Sequence, residues 1–161
     1  MKPKVYIETT IVSYLTARRR RDVVAAARQQ VTVRWWDQRR AQFSLFVSEA
    51  VLAEAERGDA AAAVRRLGAV QDIPLLKVTD EAAALAERLV REGGLPAQAA
   101  DDALHVGLAA VYRMDYLLTW NCRHLDNAET KPVMRTICML AGYQCPEICS
   151  PDELMGDLND A

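Results

Sequence analysis

Short β-branched and aromatic runs alternate along this chain with stretches long enough for helices, and few architectures accept that order. The runs cover residues 4–8, 43–47, 75–78, 115–120 and 147–149. Between them lie helix signals: Thr9 and Thr10 ahead of residues 11–15, a segment 22–40, and Ser48 as cap for a helix reaching Gly58. Further helices are expected over 59–70, from a Thr79 or Asp80 cap to Arg91, over 97–112, and from the loop 121–127 to about Gly142. Parallel strands need a long crossover, usually a helix, to join them. The expectation is therefore an α/β three-layer sandwich with a central parallel sheet of four to five strands. Residues 1–150 would form one domain, and residues 151–161 an acidic C-terminal tail with a capped helix.

Composition narrows the class further. Half of the 161 residues are hydrophobic, with only seven glycines and six prolines, which excludes collagen-like and disordered chains. The longest charge-free apolar stretch, 103–112, falls short of the about 18 residues a membrane span needs. Lys2 and Lys4 lead straight into the first strand-like run with no apolar leader, so a cytoplasmic location is expected. In that reducing setting Cys122, Cys138, Cys145 and Cys149 are expected as thiols, and their spacing lacks the paired pattern of a zinc site.

Charge is distributed unevenly. The net charge is −2, yet between Arg18 and Arg40 eight arginines stand against Asp22 and Asp37. Such a segment is either a solvated helix end or a contact for a polyanion, and Arg18, Arg19, Arg20 and Arg21 are its densest part. Trp35 and Trp36, near the end of the same segment, read as packing residues rather than as a base-stacking platform.

In open parallel sheets ligands bind beyond the carboxyl ends of the strands. No glycine fingerprint or phosphate-cradling loop follows any strand here, which leaves nucleotide cofactors without support. Acidic side chains do collect at that edge. Glu8 ends the first strand, Glu54 lies about one and a half turns into the helix after Ser48, and Asp101 and Asp102 open the helix before the fourth strand. Thr119 and Asn121 end that fourth strand. Each acid taken alone reads equally well as a charge at a helix start, Asp101 above all. Together, carboxylates within about 4–6 Å of one another raise each other's pKa, and a hard divalent ion relieves the crowding. An ion of that kind beside an arginine segment suits phosphodiester hydrolysis.

Four segments resemble the PIN-domain ribonucleases, and among them the VapC-like toxins of bacterial toxin–antitoxin pairs. They are residues 5–15 (VYIETTIVSYL), 48–54 (SEAVLAE), 102–110 (DALHVGLAA) and 116–121 (YLLTWN). The resemblance spans about residues 4–150 and implies a PIN-like sheet. It also implies an Mg2+- or Mn2+-dependent endoribonuclease, with Glu8, Glu54 and Asp102 as catalytic metal ligands. Thr9, Thr10, Thr119 and Asn121 would support those ligands, and Arg18, Arg19, Arg20 and Arg21 would contact RNA. Homodimerisation and an antitoxin protein as partner follow from the same likeness. The alternative is a catalytically silent PIN-like module that binds RNA or protein.

This chain departs from the family pattern at two places. Glu8 stands where the family usually has aspartate, and Asn121 and His124 occupy positions where a fourth aspartate often lies. Three carboxylates then remain for one ion. Asp126 substitutes only if its loop turns inward; His124 is a phosphate contact or a surface imidazole; His105 is expected in packing or behind the ligands.

Overall fold

The computed structural model describes residues 1–156. Residues 157–161, the end of the expected acidic tail, lie outside the described residues. Five strands form one parallel sheet: β1 (Lys4–Ile7), β2 (Ser44–Ser48), β3 (Leu75–Leu76), β4 (Tyr116–Leu118) and β5 (Glu147–Cys149), in the order β3-β2-β1-β4-β5. Helices α1 (Thr9–Thr16) and α2 (Val23–Gln38) link β1 to β2, and α3 (Glu49–Ala55) and α4 (Ala60–Val70) link β2 to β3. The chain then returns through α5 (Asp80–Arg91) and α6 (Ala100–Val111) to β4, and α7 (Lys131–Leu140) leads to β5.

This order places a topological switch between β1 and β4. From β1 the chain winds outward to β3, then crosses back to the other side of β1. Loops at the carboxyl ends of β1 and β4 therefore diverge and leave a crevice between them, the usual location of a site in such sheets. Their register pairs Ile7 with Leu118, so Glu8 and Thr119 emerge side by side.

The local sequence explains the elements. Val5, Tyr6 and Ile7 are wholly buried, as are Leu117 and Leu118, because central strands of a parallel sheet are covered on both faces. Asp22, Ser48, Asp59 and Thr79 each accept a hydrogen bond from a backbone N–H in the first turn of the helix that follows. At α1 the expected cap differs: Glu8, not Thr9 or Thr10, accepts from the Thr10 N–H, which draws both threonines into the helix. The last long helix begins at Lys131 rather than directly after residue 127, since a turn closed on Asn127 occupies the interval. Among the described residues of the tail, a 3-10 turn runs over Pro151–Leu154 and packs on α2, where the buried Trp35 donates its indole N–H to Leu154 O at 3.2 Å.

Helices α5 and α6 lie against each other with unusually close backbones. Gly107 permits this: a Cβ there would stand 2.5 Å from Ala82 O. The close fit fixes α6, which carries Asp102 and His105. All four cysteines are free thiols.

Candidate active site

Glu8 is the centre of the crevice and is only 2% exposed. The Thr119 hydroxyl donates to its Oε1 at 2.6 Å, the Thr10 hydroxyl to the same oxygen at 2.5 Å, and the Thr10 N–H to Oε2 at 3.1 Å. Thr10 Oγ1 accepts from Trp120 N at 2.8 Å and Thr119 Oγ1 accepts from Asn121 N at 2.9 Å; the two hydroxyls are 3.4 Å apart, so the Glu8 oxygen is the nearer acceptor for each proton. Burial pushes the Glu8 carboxyl above its ordinary value, and the charge of His105 and these three donors offset the rise only in part.

Glu54, on α3, takes the Thr9 hydroxyl at 3.1 Å and the His105 Nε2 on its Oε1. Partial burial raises its pKa, but the His105 hydrogen bond and charge, with Thr9 and Arg57, outweigh that and hold it below the usual carboxylate range. His105 is fully buried. Desolvation lowers its pKa, while the Glu54 hydrogen bond and the charges of Glu8, Glu54 and Asp102 raise it further, for a net rise. Protonated, it donates Nε2–H to Glu54 and Nδ1–H to the Tyr6 hydroxyl at 2.6 Å; Tyr6 donates in turn to Ser48 Oγ at 2.7 Å. Burial raises the Tyr6 phenol far above its ordinary value, so it remains a neutral donor.

Asp102 opens α6 and pairs with His124 Nδ1 at 3.0 Å. His124 is placed by a tight turn in which Asn121 Oδ1 accepts the His124 N–H at 3.0 Å. The Asn121 amide oxygen thus closes this turn and touches no carboxylate. Asp126 does not stand in for a fourth acid: its carboxylate is tied to Lys131 Nζ at 2.7 Å. Asp101 is exposed and faces Arg57 at 3.7 Å, the ordinary lot of an acid in a first helical turn. Arg18, Arg19, Arg20 and Arg21 lie exposed in the turn between α1 and α2.

Direct contacts join Glu8 to Thr10 and Thr119, and Glu54 to Thr9 and His105, while Asp102 lies one turn before His105 on α6 and pairs with His124. Sequence reasoning missed Tyr6 and the His124 pairing with Asp102. Tyr6 had a legible signal, since it lies two residues before Glu8 and therefore on the same strand face. The His124 pairing had none, because it depends on how the loop folds.

A hard cation fits the donors chemically, as the three acids offer only oxygen. One oxygen of Glu54 and one of Asp102 are, however, held by histidines here. Among the described residues no three His, Cys, Asp or Glu side chains stand as a ready metal-binding group. Nor, among those residues, is any helix long and apolar enough to cross a membrane. A cavity of about 510 Å³ lies at the opposite, amino edge of the sheet by Arg113, Asp115 and Glu147, remote from these acids.

No protein-family model matches the sequence, and a search of curated proteins finds no match. Solved structures do match. Mycobacterium tuberculosis VapC20, described as a sarcin–ricin loop cleaving toxin, aligns with 70% of this chain and 86% of its own at 19% identity and a TM-score of 0.55. VapBC2 from Rickettsia felis, bound to a DNA fragment from its promoter, aligns with 91% of this chain and 98% of the matched chain at 12% identity and a TM-score of 0.59. The parallel five-stranded sheet and these alignments together give the chain the PIN-like fold of VapC structures.

Proposed function

We propose that this protein is a metal-dependent endoribonuclease that hydrolyses a phosphodiester bond of single-stranded RNA. The observation that carries the proposal is that three acids from separate elements stand at the switch point of the sheet: the buried Glu8 at the end of β1, Glu54 on α3 hydrogen-bonded to the buried His105, and Asp102 one turn before His105 on α6. Structural packing alone gives no reason to bring three acids to one crevice, because each costs desolvation there.

Glu8, Glu54 and Asp102 would hold Mg2+ or Mn2+, which when bound supplies an activated water and neutralises charge on the phosphate. The remaining groups position these acids. Thr10 and Thr119 aim Glu8, and Thr9 and His105 aim Glu54 and keep it ionised. His124 orients Asp102. Arg18, Arg19, Arg20 and Arg21 would hold the flanking RNA backbone by charge.

The likeness to VapC20 and to a VapBC2 complex supports a toxin paired with an antitoxin protein; a homodimer, implied by the family resemblance, and a cytoplasmic setting belong to the same reading. Purified protein tests the chemistry directly. RNA cleavage should require Mg2+ or Mn2+, cease on chelation and fall at least about a hundredfold in Asp102→Asn. Cleavage that survives both treatments would remove the proposal. RNA binding without any cleavage would leave the silent module.

A further inference from the structure

The acidic crevice is one end of α1, and the other end is strongly cationic. Ser13 lies about 6 Å along the helix axis from Thr9, at 1.5 Å per residue. There a cleft of about 420 Å³ opens beside Ser13 and Thr16. Five arginines line it: Arg18, Arg19 and Arg20 from the turn after α1, and Arg65 and Arg66 from α4. The two from α4 come from outside the arginine-rich segment, and only the fold brings them to it.

None of the five pairs with a carboxylate among the described residues. Neutral carbonyls set the positions of Arg65 and Arg66 instead. Arg65 Nε donates to Thr16 O at 3.2 Å; Arg66 Nε donates to Ala55 O at 3.1 Å and its Nη2 to Arg57 O at 2.5 Å. Gln29 pins the turn from α2, donating to Ala17 O at 2.6 Å and Arg18 O at 3.3 Å. A guanidinium has five N–H donors, so each arginine keeps most of its donors free. Five like charges held together without counterions favour an anion between them.

We infer that this cleft binds the sugar–phosphate backbone of the RNA strand whose scissile bond lies in the acidic crevice, with Arg65 and Arg66 as the wall opposite Arg18–Arg20. The identity of the polyanion rests on the nuclease reading. Two features favour RNA over an acidic peptide. Arg66 donates to the carbonyl of Ala55, the residue after Glu54, so α3 and α1 both run from the cleft to the proposed phosphodiester site. Arg19 and Arg20 also border a groove on α2 where Gln30, Gln38 and Val33 offer amide and aliphatic groups suited to bases.

The test measures binding apart from cleavage. A fluorescein-labelled single-stranded RNA 12-mer and a labelled 12-residue polyglutamate are titrated into the full chain carrying Asp102→Asn, over a range of salt. Replacing Arg18, Arg19 and Arg20 with glutamine should raise the RNA Kd at least about tenfold, and reduce the slope of log K against log salt by about 0.7 for each phosphate no longer neutralised. Arg65→Gln should act in the same direction, and Arg65→Lys, which keeps the charge, should restore most of the slope. An unchanged Kd and slope, polyglutamate binding tighter than RNA, or no RNA binding by the Asp102→Asn chain would overturn the inference. RNA held through these arginines but never cut by the wild type with Mn2+ would remove the nuclease reading and leave the cleft. Cutting with arginine-independent binding would do the reverse.

Discussion

Thr119 and Glu8 directly follow two neighbouring parallel strands, and the Thr119 hydroxyl donates to the Glu8 carboxylate at 2.6 Å across the switch point of the sheet. Its oxygen is at the same time the acceptor for Asn121 N, and the Glu8 carboxylate is the nearest acceptor for its proton. The consequence is a buried acid whose orientation is set by the ends of two strands.

Thr119→Val keeps the shape and removes that donor. Glu8 would then be pushed higher still, because burial already raises its pKa and one of the offsetting hydrogen bonds is gone. The acid limb of the pH–rate profile should move to higher pH, kcat/KM should fall about tenfold or more, and stability should drop by about 1–3 kcal/mol. A profile that does not move would show that Thr119 does not act on Glu8.

Glu8 itself has an opposite effect on stability. Its folded-state pKa lies above the ordinary value of 4.5, so the stability linked to its proton is present below that value and lost as pH rises through the folded pKa. Ionised at pH 8, it weakens the fold. In thermal melts, the Tm of Glu8→Gln relative to wild type should therefore be a few degrees more favourable at pH 8 than at pH 4, while RNA cleavage is abolished. A difference independent of pH would contradict this electrostatic picture of the crevice.

The Glu54–His105 pair has a defined pH window. Glu54 is depressed, so its contribution is present above 4.5 and fades as pH falls through its folded pKa; His105 is raised, so its contribution is complete below 6.5 and fades as pH rises through its folded pKa. His105→Gln should thus cost most between about pH 4.5 and 6.5, on the order of 1–3 kcal/mol, and less at pH 9. Chemical denaturation at three pH values checks the pattern.

Gly107→Ala should act through packing. The added Cβ would meet Ala82 O at 2.5 Å, and this is backbone that yields only if α5 and α6 move apart. A loss of about 1–3 kcal/mol is expected. Because α6 carries Asp102 and His105, activity should fall at temperatures where the protein remains folded.

The alternation of strands and helices was legible because burial on both faces forces apolar runs and because Ser48, Asp59 and Thr79 cap as their types prefer. Glu8 was legible because the end of β1 locates it, and Glu54 and Asp102 because they lie in the helix after β2 and in the first turn of the helix before β4. What depended on loop conformation was hidden. Asn121 spends its amide oxygen on the turn that delivers His124 to Asp102, and Asp126 is held by Lys131. The role of Glu8 as the cap of α1 was obscured by two threonines, each of a commoner capping type. Arg65 and Arg66 reach the arginine turn only because α4 packs against the end of α1.

The central claim is that Glu8, Glu54 and Asp102 share one divalent cation. Calorimetric titration of the protein with Mn2+ tests it most directly, without reference to any substrate. One ion should bind per chain, with affinity lowered about tenfold or more in each of Glu8→Gln, Glu54→Gln and Asp102→Asn. No Mn2+ binding, or binding that none of the three substitutions weakens, would contradict it.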